Sequence, residues 1–216
     1  MGSMANRRKT DRILVWATLT FFIALAISTL TLKESEKPIS IDLIDQPMIG
    51  DYNANVEIVV FEDFMCKECQ FFYTNIMPQI KENYVDPGYV SLKLVPLAFF
   101  PYSEKVSQAA YCIYQQNHSA FWSFLELWFE SAPEFHVDRT IDEIVKSLPL
   151  DQIHYYQCMQ TKNFHQQLED NMRLAEKMIE PEVEVPAIFI NGKRSLNYSY
   201  SAISREIERQ LKKGQL

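Results

Sequence analysis

The chain has 216 residues, of which 47% are hydrophobic and 23% are charged, an ordinary globular composition that excludes fibrous and disordered proteins. Its formal net charge is -7, and residues 1–12 carry four cations against one acid, so the remainder is more acidic still. An acidic body argues against nucleic-acid binding, which requires a basic surface stripe.

The N-terminal segment predicts export from the cytoplasm. Residues 1–3 resemble an expression-vector remnant ahead of a native start, and residues 13–32 carry no charge and are long enough to cross a bilayer as a helix. The flanking cations place residues 1–12 in the cytoplasm by the positive-inside rule.

Two alternatives remain open for residues 13–32. They form an uncleaved transmembrane anchor, or a signal peptide cleaved at the A-x-A-type site of residues 24–26. The first alternative gives a catalytic domain anchored in the inner membrane and facing the periplasm or another extracytoplasmic space. The second gives a soluble periplasmic protein.

Residues 33–55 form a polar connector without a sustained helical period, which predicts a linker. The β-branched, largely apolar run at residues 56–61 predicts a central strand buried on both faces. Cys66 begins a helix that Pro78 is expected to kink rather than end. An alternating run at residues 90–95 predicts the next strand, which completes a β–α–β unit.

Helical periodicity then extends from about residue 103 to residue 178 and predicts a helical insertion over residues 101–183. Strand character returns at residues 187–190, where the following Asn-Gly pair predicts a hairpin. The chain closes with a helix over residues 201–213. The predicted class is α/β, with residues 56–100 and 184–216 forming one domain that the insertion divides.

Cys66 and Cys69 form a C-x-x-C motif where the first buried strand turns into a helix. Unbonded N–H groups and the helix dipole at such a position stabilise a thiolate, and the second sulfur lies about one turn away. The alternatives are a structural disulfide or half of a zinc site. Zinc would need two further ligands, and because no second C-x-x-C exists, we expect no metal and no other cofactor.

Cys112 and Cys158 fall in separate helices of the insertion. In an oxidising compartment we favour a structural disulfide between them, and the alternative is two buried, inert thiols. His154 lies four residues before Cys158, a spacing compatible with a metal pair, but no further ligand cluster accompanies it. The aromatic run at residues 121–129 is expected to pack in the core, or to leave part exposed as a groove for unfolded chains.

Three motifs resemble the DsbA family of thioredoxin-like proteins: FEDFMCKEC at residues 61–69, Phe-Trp at residues 121–122, and EVPAIFING at residues 184–192. The resemblance covers about residues 51–213, and the combination is more specific than any one motif.

This resemblance implies a thioredoxin fold split by a helical domain. It implies that Cys66 is the nucleophile and Cys69 the resolving thiol. It also implies that Pro186 is cis and faces the Cys66 sulfur, and that the Val185 backbone pairs with a bound substrate chain.

The sequence departs from the strongly oxidising family members between its cysteines. Those members have Pro-His there, whereas this chain has Lys67 and Glu68. Lys67 favours a thiolate, while Glu68 and the acids at positions 62, 63, 182 and 184 oppose one. A less stabilised thiolate predicts a weaker oxidant.

A second departure concerns the buried carboxylate that many thioredoxin-like proteins keep six residues before the nucleophile. Val60 occupies that position here. Glu62, on the same strand face, is the candidate substitute, but its place near the strand end predicts more contact with water.

The sequence therefore predicts a thiol–disulfide oxidoreductase that acts on exported proteins with thiols or disulfides and is recycled by a membrane redox partner. That partner would be DsbB-like for an oxidase or DsbD-like for a reductase. The alternatives are a dedicated periplasmic disulfide reductase and, in another class, a membrane-tethered binding module or chaperone on the same scaffold.

Overall fold

The structure is a computed structural model that describes residues 16, 18–22, 43, 46–131, 136–162, 164–179 and 181–214. It divides into two compact units, Met1–Lys37 and Pro38–Leu216. In the first unit, residues 16 and 18–22 are helical, and most of the predicted span 13–32 lies outside the described residues. Among the residues that are described, no helix is both long enough and apolar enough to cross a membrane.

A five-stranded mixed sheet forms the centre of the described second unit, in the order β1-β3-β2-β4-β5. Strand β2 is parallel to β3 and antiparallel to β4, and it is buried along its length except at Glu57, as expected for a central strand. The strands are β1 Met48–Ile49, β2 Val56–Asp63, β3 Val90–Leu97, β4 Ala187–Ile190 and β5 Lys193–Ser195.

The connection from β2 to β3 is helical and interrupted once. Helix α1 spans Lys67–Asn75, helix α2 spans Met77–Ile80, and a π-helical segment covers Lys81–Val85. The break falls at Ile76, two residues before Pro78, whose missing N–H removes a helical hydrogen bond. Helical conformation resumes beyond the break, so the predicted kink is present and the chain returns to the sheet as a β–α–β unit.

The predicted insertion consists of helices between β3 and β4. An additional helix, α8, follows the β4–β5 hairpin, in which Asn191 and Gly192 both have positive φ as the Asn-Gly signal predicts. The remaining helices are α3 Ser103–Gln116, α4 His118–Ser131, α5 Val137–Ser147, α6 Gln152–Thr161, α7 His165–Met178 and α8 Tyr200–Lys213.

The predicted linker over residues 33–55 extends too far, because its last part belongs to the folded body. Strand β1 pairs antiparallel with β3. Just before it, the buried Gln46 side chain donates to Asn171 at 2.6 Å and accepts from the Tyr111 hydroxyl at 3.0 Å. Asn171 in turn donates to the Pro96 carbonyl at 2.8 Å. A two-residue strand has no alternation to detect, and its burial depends on side chains distant in sequence.

Candidate active site

Cys66 and Cys69 lie at the junction of β2 and α1. Cys66 is the N-cap residue of α1, with extended backbone (φ -80°, ψ 130°), and Cys69 lies in the first turn. Both thiols are free, and their exposures are low but unequal: Cys66 is 5% exposed and Cys69 is 0% exposed. A reactant can therefore reach the Cys66 sulfur more readily than the Cys69 sulfur.

The turn before Cys66 is held by a buried carboxylate. Asp63 accepts hydrogen bonds from the Met65 N–H at 2.7 Å, the Ser103 hydroxyl at 2.6 Å and the Phe99 N–H at 2.6 Å. Burial raises the pKa of Asp63, and these hydrogen bonds partly offset the rise. Asp63 thus joins the active-site turn to the loop after β3, a structural task that differs from the expected electrostatic opposition to the thiolate.

Helix α4 of the insertion also supports the cysteine segment. The buried Trp128 indole N–H donates to the Phe64 carbonyl at 2.8 Å, and Gln70 on α1 donates to the Phe129 carbonyl at 2.7 Å. These contacts hold the backbone on both sides of Cys66. Trp128 was missed as a positioning residue because its periodicity is that of an ordinary core aromatic.

The environment shifts the pKa values of the two thiols in opposite directions. The pKa of Cys66 is lowered mainly by a hydrogen bond from the Cys69 side chain, with smaller help from the backbone N–H groups of Cys69 and Glu68. Burial opposes this shift, as does the Glu68 carboxylate, whose Oε2 lies 3.4 Å from Cys66 Sγ. Burial raises the pKa of Cys69 well above that of an ordinary thiol, and the neighbouring Cys66 adds to the rise. Cys66 is thus the more readily ionised thiol of the pair, and Cys69 is the one that keeps its proton to higher pH.

The loop before β4 lies against Cys66. The Val185–Pro186 peptide bond is cis, and Cys66 Sγ is 3.8 Å from the Val185 carbonyl oxygen. The structure therefore brings together the two cysteines and the loop that the family resemblance assigns to substrate binding. Lys67 is exposed beside them.

Glu62 is buried beside the cysteines, and the expectation that it contacts water is wrong. The residue is 0% exposed because the central strand β2 stays buried to its last residue. Neither carboxylate oxygen has a hydrogen-bond partner in the described part of the chain. Burial raises the pKa of Glu62 well above that of an ordinary carboxyl, with further contributions from Cys66 and Asp63. Glu62 is electrostatically coupled to the second cysteine, because a negative charge on its carboxylate would raise the pKa of the Cys69 thiol.

A groove opens beside Cys66, and we call it the active-site groove. It is lined by Cys66, Glu68 and residues 99–100, 181–187 and 194–198. The aromatic side chains of residues 121–129 are buried and take no part in this groove, although Trp122 lines a separate cavity together with Tyr73 and Met77. Sequence reasoning missed the groove because its walls come from three loops whose proximity only the folded chain creates.

The other site predictions concern the insertion. Cys112 and Cys158 form a disulfide that joins α3 to α6. The Cys158 sulfur is therefore engaged and does not ligate a metal together with His154. Within the described residues, no group of three or more His, Cys, Asp or Glu side chains has the arrangement of a metal site.

Residues 42–209 match the family model described as thioredoxin. The chain is 27% identical over 176 residues to the probable disulfide bond formation protein D of Bacillus anthracis, covering 78% of this chain and 79% of that protein. It is also 27% identical over 175 residues to disulfide bond formation protein D of Bacillus subtilis, covering 77% and 78%.

Solved structures of similar proteins superpose on this chain. The oxidised BdbD of Bacillus subtilis superposes with a TM-score of 0.72 at 26% identity, covering 79% of this chain and 95% of that one. DsbA of Chlamydia trachomatis superposes with a TM-score of 0.70 at 22% identity, covering 82% and 95%, and supports the fold alone.

The opposite shifts of the two thiols predict the pH profile of alkylation. Iodoacetamide should modify Cys66 with a midpoint below the value of about 8.5 for an ordinary thiol. Cys69→Ala removes the hydrogen bond that contributes most to this shift, so the midpoint should rise, whereas Cys69→Ser keeps a donor and should give a lower midpoint than Cys69→Ala. Mass spectrometry of the peptide containing Cys66 measures both. Equal midpoints in the two variants would contradict the assigned cause.

The raised pKa of Glu62 predicts a pH-dependent cost to stability. The folded state keeps this carboxyl protonated at pH values where the unfolded chain has released the proton, so stability is lost as pH rises from about 4.3 through the folded pKa. Glu62→Gln does not titrate. Its free energy of unfolding, relative to the parent, should therefore increase progressively between pH 4 and pH 8.

Urea titrations in a Cys66→Ala/Cys69→Ala background measure this difference without interference from thiol ionisation. Glu82→Gln, at an exposed position, serves as the matched control and should show no comparable trend. A difference between Glu62→Gln and parent that stays constant with pH would show that Glu62 ionises normally.

Proposed function

The chain belongs to the thioredoxin family, among its DsbA-type protein-disulfide oxidoreductases, and we propose that it exchanges disulfides with exported proteins as a weak oxidant. The observation that carries the proposal is the asymmetry of the cysteine pair at the cis-proline loop. Cys66 is a near-surface thiol with a lowered pKa, and Cys69 is a fully buried thiol with a raised one. Thiol–disulfide exchange requires this difference, because one thiol must be accessible and readily ionised while the other is shielded and completes the exchange.

In the oxidising direction, a substrate thiolate attacks Cys66 Sγ of the Cys66–Cys69 disulfide, and Cys69 leaves as a thiolate that takes up a proton. A second substrate thiolate then attacks the substrate sulfur of the mixed disulfide, and Cys66 leaves. Two substrate thiols become one disulfide and the cysteine pair becomes two thiols, so two electrons and two protons pass to the enzyme.

The residues around the cysteines are proposed to stabilise the leaving thiolate, supply a proton and bind the substrate backbone. The N-terminus of α1 stabilises Cys66 as a leaving thiolate, and the buried Glu62, whose raised pKa favours the protonated carboxyl, is the proposed proton source for Cys69. The Val185 carbonyl accepts from Cys66 Sγ at 3.8 Å in the reduced protein, and in the disulfide form, where Cys66 has no thiol proton, it can accept from the N–H of an extended substrate backbone. Val185 and Pro186 are thus the proposed substrate-binding residues.

The expectation of weak oxidising power rests on fewer acids than the sequence suggests. Asp63 is committed to hydrogen bonds, Glu62 is held protonated, and Glu184 forms an ion pair with Arg194 at 3.8 Å. Glu68 is the acid that contacts the Cys66 sulfur and opposes its ionisation. A reduced form destabilised in this way lowers oxidising power, which also keeps a dedicated reductase as the second candidate function.

The proposed location is extracytoplasmic, with residues 13–32 acting as a membrane anchor or as a cleaved signal. Each turnover leaves the cysteine pair in the wrong redox state, so the proposal includes a membrane redox partner that resets it. A DsbB-like partner would accept electrons from an oxidase, and a DsbD-like partner would donate them to a reductase.

Variants of the two cysteines should affect different steps of disulfide exchange: the attack on Cys66 and the release of the mixed disulfide by Cys69. Cys66→Ser should lower the rate of oxidation of a two-cysteine peptide by about a thousandfold or more, because it removes the attacked sulfur. Cys69→Ala should instead accumulate mixed disulfides with exported proteins, which mass spectrometry identifies. Full exchange activity, or full biological activity, in Cys66→Ser would favour the binding-module alternative.

The reduction potential should be more negative than the value of about -120 mV typical of strongly oxidising DsbA. Equilibration with glutathione mixtures measures it. Glu68→Gln removes the acid next to Cys66 and should make the potential less negative by about 10 to 30 mV, since 30 mV corresponds to about 1.4 kcal/mol for two electrons. Glu82→Gln should leave it unchanged. A parent potential near -120 mV would overturn the weak-oxidant proposal.

A further inference from the structure

The active-site groove has an apolar part that is open to solvent. Phe100 is 47% exposed and Leu196 is 94% exposed, and Phe99 and Tyr198 are more than one-third exposed beside them. Such a concentration of exposed large side chains is unusual for a monomer surface away from a binding site. These residues lie on separate loops, so they form two walls of the groove rather than one continuous ridge.

The charged part of the groove is acidic. Its lining includes three carboxylates, those of Glu68, Glu182 and Glu184, and one cation, Arg194. Arg194 pairs with Glu184, whereas Glu68 and Glu182 form no ion pair among the described residues. The groove lining therefore carries more acids than cations, and the Glu68 carboxylate lies 3.4 Å from the Cys66 sulfur.

We propose that the active-site groove selects exported polypeptide segments in which a lysine or arginine lies a few residues from the reacting cysteine, next to an apolar side chain. This inference rests on the proposed function and adds the substrate class. The occupant is an extended chain because Val185 offers a backbone acceptor beside Cys66 and the walls are apolar. An anionic membrane surface or an acidic segment would be repelled by the same carboxylates.

The chemistry of the reaction adds a second reason for a basic substrate. When the substrate sulfur bonds to Cys66, the substrate residues near that sulfur approach Glu68. A cation there forms an ion pair with Glu68, and an acid there meets a like charge. The selectivity should therefore act on the rate of mixed-disulfide formation, and it should decline with ionic strength because the groove is open to solvent.

The test uses three peptides, each with two cysteines and one leucine, that differ only in a Lys, Gln or Glu three residues from the first cysteine. Each rate constant with the oxidised protein is divided by that of the same peptide with hydroxyethyl disulfide, which corrects for the intrinsic thiol pKa. The corrected rate should fall about threefold from Lys to Gln and again from Gln to Glu at low salt. At 0.5 M NaCl the differences should largely disappear.

Glu182→Lys reverses one groove charge and should reduce or invert the Lys-over-Glu preference. Glu82→Lys makes the same change in net charge about four helical turns from Cys66 and should retain the preference. Oxidation of dithiothreitol, which carries no charge, provides the reference for each variant. If dithiothreitol is oxidised but the preference is absent, or is the same in Glu182→Lys and parent, the inference fails while the function stands. If dithiothreitol is not oxidised either, the proposed function fails.

Discussion

The burial of the end of β2 is the constraint on which the rest of the site depends. A central strand that remains buried to Asp63 delivers a carboxylate into the interior, where an unpaired charge is costly. Asp63 meets that cost with hydrogen bonds from the turn after β2 and the loop after β3. The same bonds fix the backbone before Cys66 and the position of Phe99 on the groove wall. Holding one buried acid therefore arranges both the backbone before Cys66 and part of the groove wall.

The second carboxylate, Glu62, is treated differently by the fold. Its side chain is buried like that of Asp63, but it has no hydrogen-bond partner in the described structure. Burial therefore raises the pKa of Glu62 without hydrogen bonds that would lower it again. Glu62 is also coupled to the cysteines, since a negative charge on its carboxylate would raise the pKa of Cys69 further. The two adjacent acids thus differ in how the fold accommodates them: hydrogen bonds partly offset the rise in the pKa of Asp63, whereas no such bonds offset the rise for Glu62.

Much of this could be predicted from the sequence because it depends on local signals. The apolar run of β2, the C-x-x-C spacing at a helix start and the Asn-Gly hairpin each lie within a few residues, and the structure contains all three. The features that were missed depend on distant partners. Strand β1 is too short to show a pattern, and Gln46 is buried because it meets Tyr111 and Asn171. The buried state of Glu62 likewise follows from its neighbours in the sheet and not from its place near a strand end.

Counting charges along the sequence also gave an incomplete account of the site. Of the five acids around the cysteines, Asp63 is hydrogen-bonded, Glu62 has a pKa raised by burial and Glu184 is paired with Arg194. What remains is Glu68 against the sulfur and Glu182 on the groove. On the two proposals, Glu68 both weakens the oxidant by opposing the Cys66 thiolate and attracts a basic substrate. A substrate cation that binds Glu68 cancels part of that opposition and stabilises the Cys66 thiolate. The Cys66–Cys69 disulfide therefore becomes a stronger oxidant when its preferred substrate is bound than it is in the free enzyme.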